Sequence, residues 1–340
     1  MRPLRFALFG TGFWSRYQLA AWKEVGGTEC VALYNRTRAK AEKLAEEFGV
    51  HRIYDNPCDL VRNEELDFLD IVTNMETHRD LVHLAAEHKI PVICQKPMAA
   101  SLSDSESMVQ VCADRGVPFY IHENWRWQQP IRALSQVLES GEVGRPFRAR
   151  IRMVSGFRVF ENQPFLRELD RFLLTDIGSH ILDVARFLFG EPRTLYCRTQ
   201  RIQRDIRGED LATVMMEMAN GATVVCEMGY PGTAMSPDHF PQTFAFVEAE
   251  GGSVELAPDC WLNITTASGS RRQHCAPARY TWADPAYDVV HASIVPCHAN
   301  LLAGLRGERM PETHAADNLR TMRLVYSAYE SAASGEVMRL

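Results

Sequence analysis

Short apolar runs alternate with amphipathic stretches over the first 123 residues. Each apolar run is too short for a helix, and the stretch after it has helical periodicity. The runs predict strands at residues 4–9, 30–34, 52–54, 67–73, 91–94 and 118–122. The stretches between them predict helices at residues 14–25, 38–48, 57–62, 77–88 and 103–115. Strands and helices that alternate in this way form a parallel sheet covered on both faces, an α/β domain.

The pattern changes after about residue 143. Longer strand-like runs follow, and turn residues such as Asn220-Gly221 and Gly251-Gly252 separate several of them. These runs predict strands at residues 147–155, 194–200, 212–218, 223–228, 243–248 and 252–256. Helical periodicity predicts an inserted helix at 175–189 and two closing helices near 292–305 and 315–334. The second part is therefore predicted to be an α+β domain with an open, mostly antiparallel sheet.

Composition narrows the class of protein. The chain has 340 residues, 46% hydrophobic and 24% charged, which suits two globular domains. A net charge of -6 gives no general attraction to nucleic acid or anionic membranes. No apolar run approaches the roughly 20 residues that span a bilayer, and the first strand begins too early for a signal peptide. Nine dispersed cysteines without a C-x-x-C pair indicate reduced thiols. We expect a cytoplasmic protein with no metal, nucleic-acid or membrane partner.

The first strand runs directly into a glycine turn of the form G-x-G-x-x-S. Gly10 permits the tight turn, and Gly12 lets a pyrophosphate approach the backbone, at which the next helix points its N-terminal amides. Ser15 occupies the third glycine position and is small enough for close packing. A structural turn would give the same pattern, but the flanking strand, helix and second strand favour a dinucleotide site. The turn residues expected to contact the cofactor are Gly10, Thr11, Gly12, Phe13 and Trp14.

The fifth predicted strand ends at Gln95-Lys96-Pro97. Ligands of open parallel sheets bind beyond the carboxyl ends of the strands, which places Lys96 toward the nicotinamide. A lysine partly buried near the positive ring of the cofactor can lose its proton and move protons. From position alone, a lysine that faces solvent at a strand end is the alternative.

The inserted helix carries Asp176, His180 and Asp183 at positions i, i+4 and i+7, which share one helix face. Thr175 or Asp176 would also serve as a helix cap. His180 lies inside an apolar run, where a core histidine with a polar neighbour is the alternative to a site residue. Gly178 costs the first turn about 1 kcal/mol of helix propensity, which indicates the close approach of a ligand.

Four motifs stand in a fixed order along the chain. They are Gly10-x-Gly12, Thr73-Asn74-x-x-x-His78, Gln95-Lys96-Pro97 and Asp176-x-Gly178-x-His180-x-x-Asp183. In this combination, essentially the whole chain resembles the Gfo/Idh/MocA family of glucose–fructose oxidoreductase, inositol dehydrogenase and their relatives. The resemblance implies that Lys96, Asp176 and His180 are the catalytic residues. It also implies that Thr73, Asn74, His78, Gln95 and Lys96 lie along the cofactor.

The same resemblance implies the domain organisation. We expect a dinucleotide-binding Rossmann domain at residues 1–123 and an α+β domain for substrate binding and oligomerisation at residues 124–340. The last helix, about 315–334, is expected to pack back on the first domain. The open sheet at residues 194–256 suggests that a second subunit covers one sheet face, as in a homodimer or homotetramer.

Two segments bear on the substrate. Gln95 stands where the family has glutamate, and the loss of that negative charge favours the neutral amine of Lys96. After the sixth strand the family has Asn-x-Arg beside nicotinamide and substrate, and this chain has Asn124-Trp125-Arg126 followed by Trp127. The two tryptophans either stack on sugar faces or pack the domain junction. The predicted substrate contacts are Glu123, Asn124, Trp125, Arg126, Arg158, Asp176 and His180.

These residues predict a nicotinamide-dependent oxidoreductase. Hydride would move to or from a secondary alcohol or hemiacetal carbon of a sugar, inositol or glycoside. His180 would take the hydroxyl proton, Asp176 would orient the substrate, and Lys96 would stabilise the reacting oxygen, although Lys96 and His180 could exchange roles. Two alternatives are a non-catalytic regulator that senses cofactor and sugar, and a redox-neutral enzyme that cleaves glycosides through transient oxidation.

The second strand ends at Asn35, where NAD-specific sites carry an acidic residue. The segment Asn-Arg-Thr-x-x-Lys resembles the one that holds the 2′-phosphate in 6-phosphogluconate dehydrogenases. Arg36 can bind a phosphate bidentately, and Thr37 adds a hydroxyl donor. Arg38 and Lys40 are alternatively a solvated helix face with Thr37 as its cap. We therefore expect NADP to be preferred, with NAD possible, and the 2′-end of the cofactor to contact Asn35, Arg36 and Thr37.

Overall fold

The structure is a computed structural model that describes residues 2–234 and 238–340. These residues form two compact units, each with its own sheet. Of the described residues, the first unit comprises those up to Glu123 together with Ile294–Met322, and the second comprises those from Asn124 to Ser293 together with Arg323–Leu340.

A six-stranded parallel sheet is the centre of the first unit. Its strands are β1 (Leu4–Phe9), β2 (Thr28–Tyr34), β3 (Arg52–Tyr54), β4 (Phe68–Ile71), β5 (Val92–Gln95) and β6 (Phe119–His122). Its helices are α1 (Phe13–Val25), α2 (Arg38–Phe48), α3 (Pro57–Asn63), α4 (His78–Glu87) and α5 (Leu102–Asp114). The strand order is β3-β2-β1-β4-β5-β6. This is the Rossmann order, so the predicted fold class of this part is confirmed.

The strand order reverses direction between β1 and β4, which is where ligands bind in such sheets. Gly10 follows β1 with φ of +102°, and a Cβ there would lie 2.6 Å from the carbonyl oxygen of Val72, just after β4. The Gly10 amide also donates to the carbonyl oxygen of Tyr34 at 2.8 Å. Only glycine satisfies both the positive φ and this close approach, so Gly10 fixes the turn at the switch point.

The second unit is built on a nine-stranded sheet. Its strands are β7 (Pro146–Val154), β8 (Pro192–Gln200), β9 (Leu211–Met218), β10 (Thr223–Gly229), β11 (Phe244–Ala249), β12 (Gly252–Ala257), β13 (Trp261–Thr266), β14 (Gly269–His274) and β15 (Met338–Arg339). Its helices include α6 (Gln129–Glu139), α7 (Val159–Asn162) and α8 (Ser179–Phe189). The order is β14-β13-β12-β11-β7-β10-β9-β8-β15, and the β7–β10 pair is parallel while the other pairs are antiparallel. The predicted open, mostly antiparallel sheet is confirmed.

Two long helices belong to both units. Helix α9 (Asp288–Leu305) begins in the second unit and ends in the first, and α10 (Ala315–Ser334) begins in the first and ends in the second. Among the helices of the described residues, none has both the length and the apolar character needed to cross a membrane.

The predicted helix at residues 175–189 is wrong at its start. Residues Leu174–Gly178 form a π-helical turn, and the α-helix begins only at Ser179. Gly178 has a packing reason, because a Cβ there would meet Leu174 Cδ2 at 3.3 Å and Met228 Sδ at 3.6 Å. The close approach attributed to a ligand is therefore an approach of apolar side chains.

A buried hydrogen bond joins α1 to β4 inside the first unit. Trp22 Nε1 donates to Asp70 Oδ2 at 2.7 Å, and Asp70 is 1% exposed. The Trp22 ring also stacks on His298 with 3.8 Å between ring centroids. Burial raises the pKa of Asp70 to about 7, partly offset by the Trp22 hydrogen bond. The native state therefore holds a proton on Asp70 that the unfolded chain releases near pH 4.

We expect Asp70→Asn to stabilise the protein at pH 8. The pKa of Asp70 is higher in the folded state than in the unfolded chain. Its favourable contribution to the free energy of unfolding is therefore complete below about pH 4 and is lost as the pH rises through about 7. Asparagine keeps an acceptor for Trp22 and removes this loss, which amounts to as much as about 4 kcal/mol. Urea unfolding of both proteins between pH 5 and pH 8 measures the effect. Parallel stability profiles of wild type and variant would contradict it.

Candidate cofactor and substrate sites

The glycine turn after β1 fits a dinucleotide pyrophosphate. Helix α1 begins after Gly12 without a side-chain cap, and the positive end of a helix dipole attracts an anion. A Cβ built on Gly12 would have no atom within 4 Å, so the space over the turn is open. The buried hydroxyls of Thr11 and Ser15 have no hydrogen-bond partner in the part of the chain that the structure describes. An anion with several acceptor oxygens suits this arrangement, and Phe13 lies next to it, 36% exposed.

His78 connects the ends of two strands at the same sheet edge. Its ring is buried, with Nε2 3.1 Å from the Thr73 carbonyl oxygen and Nδ1 3.2 Å from the carbonyl oxygens of both Pro97 and Met98. Burial lowers the pKa of His78, although the backbone carbonyls oppose the shift. His78 thus holds the segments after β4 and β5 together, and the exposed Asn74 lies next to one of them.

Gln95 has a local role in presenting Lys96. Gln95 Oε1 accepts the backbone N–H of Lys96 at 3.0 Å, and the Lys96–Pro97 peptide bond is cis. Lys96 is partly exposed at the carboxyl end of β5. An amide carbonyl serves this backbone contact as well as a carboxylate would, so glutamine at position 95 is compatible with the turn.

The segment after β2 leaves one arginine available. Asn35 Nδ2 donates to the Thr37 carbonyl oxygen at 2.9 Å, and Thr37 precedes α2 without a side-chain capping bond. Arg38 is engaged, because its guanidinium contacts Glu42 at 3.1 Å and the Ile53 carbonyl oxygen at 3.3 Å. Arg36 is exposed and forms no hydrogen bond or ion pair within residues 2–234 and 238–340. Its guanidinium is therefore free to meet an anion.

In the second unit, Asp176 differs from its surroundings. The residues from 172 to 186 are all buried except Asp176, which is partly exposed. It lies in the π turn, a type of distortion that often occurs at functional sites. Asp176 is thus the residue of this segment that solvent partly reaches.

His180 is buried against an aromatic ring. The rings of His180 and Trp125 stack at 4.1 Å between centroids with 23° between planes, and Trp125 Nε1 donates to Thr243 Oγ1 at 2.8 Å. Both residues are nearly fully buried, at 3% and 4% exposed. Trp125 therefore packs on His180 and Thr243 within the second unit, and its contact with a sugar stays a prediction.

Two further predicted substrate contacts have protein partners. Arg126 forms a bidentate ion pair with Asp183, with both N–O distances 2.7 Å and both side chains buried. Asn124 Nδ2 donates to Ser293 Oγ at 2.7 Å and to the Val290 carbonyl oxygen at 3.2 Å, on α9. These contacts hold the segment that carries Trp125, so Arg126 and Asn124 support the surroundings of His180.

The remaining two predicted substrate residues, Arg158 and Glu123, also contact other groups of the protein. The Arg158 side chain is 81% exposed and pairs with Glu161 at 3.2 Å, three residues further along. Glu123 belongs to the first unit and is fully buried, and its carbonyl oxygen accepts from Cys297 Sγ at 3.8 Å. Their contact with substrate stays a prediction.

Sequence reasoning missed a tyrosine near Asp176. Tyr230 follows β10 and is 3% exposed. Burial raises the pKa of Tyr230 well above its usual value, and the charge of Asp176 raises it further. The phenol therefore stays neutral and lies within electrostatic reach of the Asp176 carboxylate. No local pattern around Tyr230 signals this proximity, because the two residues are far apart in the sequence.

Comparison with known proteins agrees with the two folds. Residues 4–123 match the Gfo/Idh/MocA oxidoreductase family with an NAD-binding Rossmann fold, and residues 131–246 match the C-terminal domain of the same family. The chain belongs to this family. The predicted family membership is thereby confirmed. Among the described residues, no group of three or more His, Cys, Asp or Glu side chains is arranged to hold a metal ion.

Several family members are similar over their whole length. A D-apiose dehydrogenase of Rhizobium rhizogenes is 39% identical over 338 residues, 99% of this chain and 98% of that protein. A D-apiose dehydrogenase of Paraburkholderia graminis is 39% identical over 340 residues, 100% of this chain and 90% of that protein. A crystal structure of an oxidoreductase from Agrobacterium radiobacter, in complex with NAD+, L-tartaric acid and magnesium, is also similar. Its chain is 39% identical to this one and superposes with a TM-score of 0.97. The match covers 99% of this chain and 98% of the chain in the crystal structure.

Proposed function

We propose that the protein is a nicotinamide-dependent dehydrogenase that oxidises a small sugar, with D-apiose as the first candidate substrate. The observation that carries the proposal is the whole-length similarity to two D-apiose dehydrogenases at 39% identity. The partly exposed Asp176 and the ring-packed His180 support it, because a sugar dehydrogenase needs groups that orient a hydroxyl and take its proton.

The residues divide into cofactor and substrate functions. In the first unit, Gly10 and Gly12 would hold the pyrophosphate on the amides of α1. When bound, the nicotinamide supplies the acceptor for the hydride. We assign Lys96 to a hydrogen bond with the reacting oxygen, where it stabilises developing negative charge.

In the second unit, His180 would take the hydroxyl proton, and Asp176 would orient the sugar. The stacked Trp125 ring restricts rotation of the His180 imidazole, which favours a defined direction of proton transfer. Oxidation of a hemiacetal carbon in this way gives a lactone, and oxidation of a secondary alcohol gives a ketone.

The experiment that tests the function follows absorbance of the reduced nicotinamide. D-Apiose, D-xylose, myo-inositol and a no-sugar control would be incubated with the protein and either NAD+ or NADP+. We expect D-apiose to give sugar-dependent reduction of the cofactor. A protein that binds cofactor and sugar without net reduction would instead favour the sensing regulator or the redox-neutral enzyme.

We propose further that NADP is preferred over NAD. Arg36 follows β2 with an exposed, unengaged guanidinium, and no acidic side chain stands at position 35 to repel a 2′-phosphate. Against this, the Agrobacterium radiobacter relative was crystallised with NAD+. Steady-state kinetics with both cofactors decide the question, and equal or better efficiency with NAD+ would overturn the preference.

The variant Arg36→Ala is expected to lower kcat/KM for NADP+ by about 10- to 100-fold and to change the value for NAD+ little. Hydrogen bonds between charged partners contribute about 1.5–3 kcal/mol, which corresponds to this range. Arg38→Ala is the matched control, because that guanidinium is already bound to Glu42 and to the Ile53 carbonyl oxygen. Similar losses in both variants would show that general charge, not Arg36, is responsible.

We propose a homodimer or homotetramer built on the outer face of the second sheet. One row of side chains crosses that face over six strands and is largely apolar. The row consists of Tyr196, Met215, Val225, Arg150, Phe246 and Glu255. Met215 is 49% exposed and Phe246 is 45% exposed, which suits burial against a second copy. A monomer mass in light scattering would contradict this assembly.

We also propose that the protein resides in the cytoplasm. All nine cysteines are free thiols, and seven of them are buried. Thiols without disulfides suit a reducing compartment. Cell fractionation measures the location, and recovery of the protein in a secreted or periplasmic fraction would contradict it.

A further inference from the structure

Two side chains from distant parts of the second unit hold the start of the π turn. Glu209, just before β9, accepts the backbone N–H of Leu174 at 2.9 Å and that of Phe172 at 3.3 Å. Tyr329 of α10 lies with its hydroxyl 2.7 Å from Glu209 Oε1. The same hydroxyl lies 3.3 Å from the Thr175 amide nitrogen and 3.1 Å from Thr175 Oγ1. Amides that a helix start leaves unsatisfied are thus bound by side chains.

The proton positions in this network follow from the groups involved. A phenol has one proton to donate, and Glu209 as a carboxylate accepts only, so the Tyr329 proton lies on the bond to Glu209. Tyr329 then accepts from the Thr175 amide and from the Thr175 hydroxyl. Burial, reinforced by the Glu209 carboxylate, raises the pKa of Tyr329 far above its usual value, so the proton remains in place.

The network ends one residue before Asp176. The π turn has no side-chain cap at Leu173, the residue before it. The start of the segment is fixed instead by Glu209, 35 residues beyond Leu174, and by Tyr329, 154 residues beyond Thr175. Because the amide of Asp176 donates to the Phe172 carbonyl oxygen at 2.9 Å, a shift of the held residues would move Asp176 as well.

We propose that Glu209 and Tyr329 are positioning residues that fix the π turn and thereby place the Asp176 carboxylate for sugar oxidation. This inference rests on the proposed function, in which Asp176 orients the sugar. Small displacements of an orienting group lower the rate of the chemical step, since productive geometry is narrow. Neither Glu209 nor Tyr329 needs to touch substrate in this role.

The variant Tyr329→Phe tests the proposal because it removes only the hydroxyl. The aromatic ring remains for Arg171, whose guanidinium carbon lies 5.1 Å from the ring centroid. We expect kcat for the sugar to fall about tenfold, while KM for the nicotinamide cofactor stays unchanged. We also expect faster amide hydrogen exchange over residues 172–178, since the Thr175 amide loses its acceptor.

Ser331→Ala is the matched control on the same helix. Ser331 Oγ accepts the Cys197 amide at 2.9 Å and donates to the Glu336 carbonyl oxygen at 2.6 Å, so its loss also breaks buried hydrogen bonds of α10. The control is expected to lower Tm without changing kcat or the exchange of residues 172–178. A drop in kcat that appears only in Tyr329→Phe is a loss of positioning, because general destabilisation would affect both variants.

The outcomes separate this inference from the proposed function. Wild-type kcat in a folded Tyr329→Phe protein, or equal effects in both variants, would overturn the positioning role while sugar oxidation stands. If the wild type oxidises no sugar, the proposed function fails. Hydrogen exchange then still decides whether Glu209 and Tyr329 hold the π turn. Unchanged exchange of residues 172–178 in Tyr329→Phe would overturn this structural role as well. Faster exchange in Tyr329→Phe but not in Ser331→Ala would support the structural role.

Discussion

Replacement of Lys96 by methionine is expected to lower kcat for sugar oxidation by about 10²- to 10⁴-fold and to leave cofactor affinity within a few-fold of wild type. Methionine fills similar space at the carboxyl end of β5 but cannot donate to the reacting oxygen or relay a proton. The backbone contact between Gln95 and residue 96 does not involve the lysine side chain, so the turn should survive. Reduced-nicotinamide absorbance gives kcat, and calorimetric titration gives cofactor affinity.

The control for this experiment is Lys43→Met, which makes the same side-chain change at an exposed position on α2. We expect wild-type kinetics from it. Turnover of Lys96→Met at the wild-type rate would remove Lys96 from the mechanism. Loss of cofactor binding together with turnover would assign Lys96 to binding.

The largest expected effect on stability comes from Asp183→Asn. Asp183 is fully buried and forms two 2.7 Å contacts with the guanidinium of Arg126, itself 6% exposed. Asp183 also lies 4.0 Å from the buried guanidinium of Arg186, so its neutralisation removes a negative charge that faces two buried cations, and breaking a buried ion pair typically costs about 3–5 kcal/mol. The free energy of unfolding, measured in urea at neutral pH, is the appropriate quantity.

A bidentate pair of the same kind on the surface provides the comparison. Arg271 contacts Glu142 at 2.6 Å and 3.0 Å, and both side chains are substantially exposed. Glu142→Gln should change stability little, because water solvates the remaining arginine. Equal losses of unfolding free energy in Asp183→Asn and Glu142→Gln would show that burial does not increase the contribution of the Arg126–Asp183 pair to stability. The double variant Arg126→Met with Asp183→Leu is expected to recover part of the loss.

The local pattern of apolar and polar residues was sufficient to predict most helices and strands of the first unit. The predicted helix at 38–48 and strand at 52–54 coincide with α2 and β3, because short buried strands and amphipathic helices alternate clearly there. In the second unit, α6 was not predicted, although Ile131, Leu134 and Val137 have helical spacing and are buried. Strands β13 and β14 were also missed. Strand β14 is exposed along its whole length, so it has no alternation of apolar and polar residues to detect.

Pairings between distant residues explain the rest of what sequence reasoning missed. The parallel pairing of β7 with β10 joins strands that are not neighbours in the chain, and no local signal specifies it. The sequence analysis predicts Arg126 as a substrate contact and Asp183 as part of a helix face, but it does not predict their ion pair, which joins residues 57 positions apart. The π turn likewise depends on Glu209 and Tyr329, which lie far from it in sequence.

The distribution of thiols makes the first unit easy to label. Cys58 lies partly exposed in the first turn of α3, where its amide donates to Asn56 Oδ1 at 2.9 Å. The thiol of Cys30 is less reactive, because burial raises its pKa to about 12, and seven other cysteines are buried. A maleimide dye should therefore attach mainly at Cys58 in the unmodified protein. Fluorescence from a single reporter could then follow the first unit without the removal of any native cysteine.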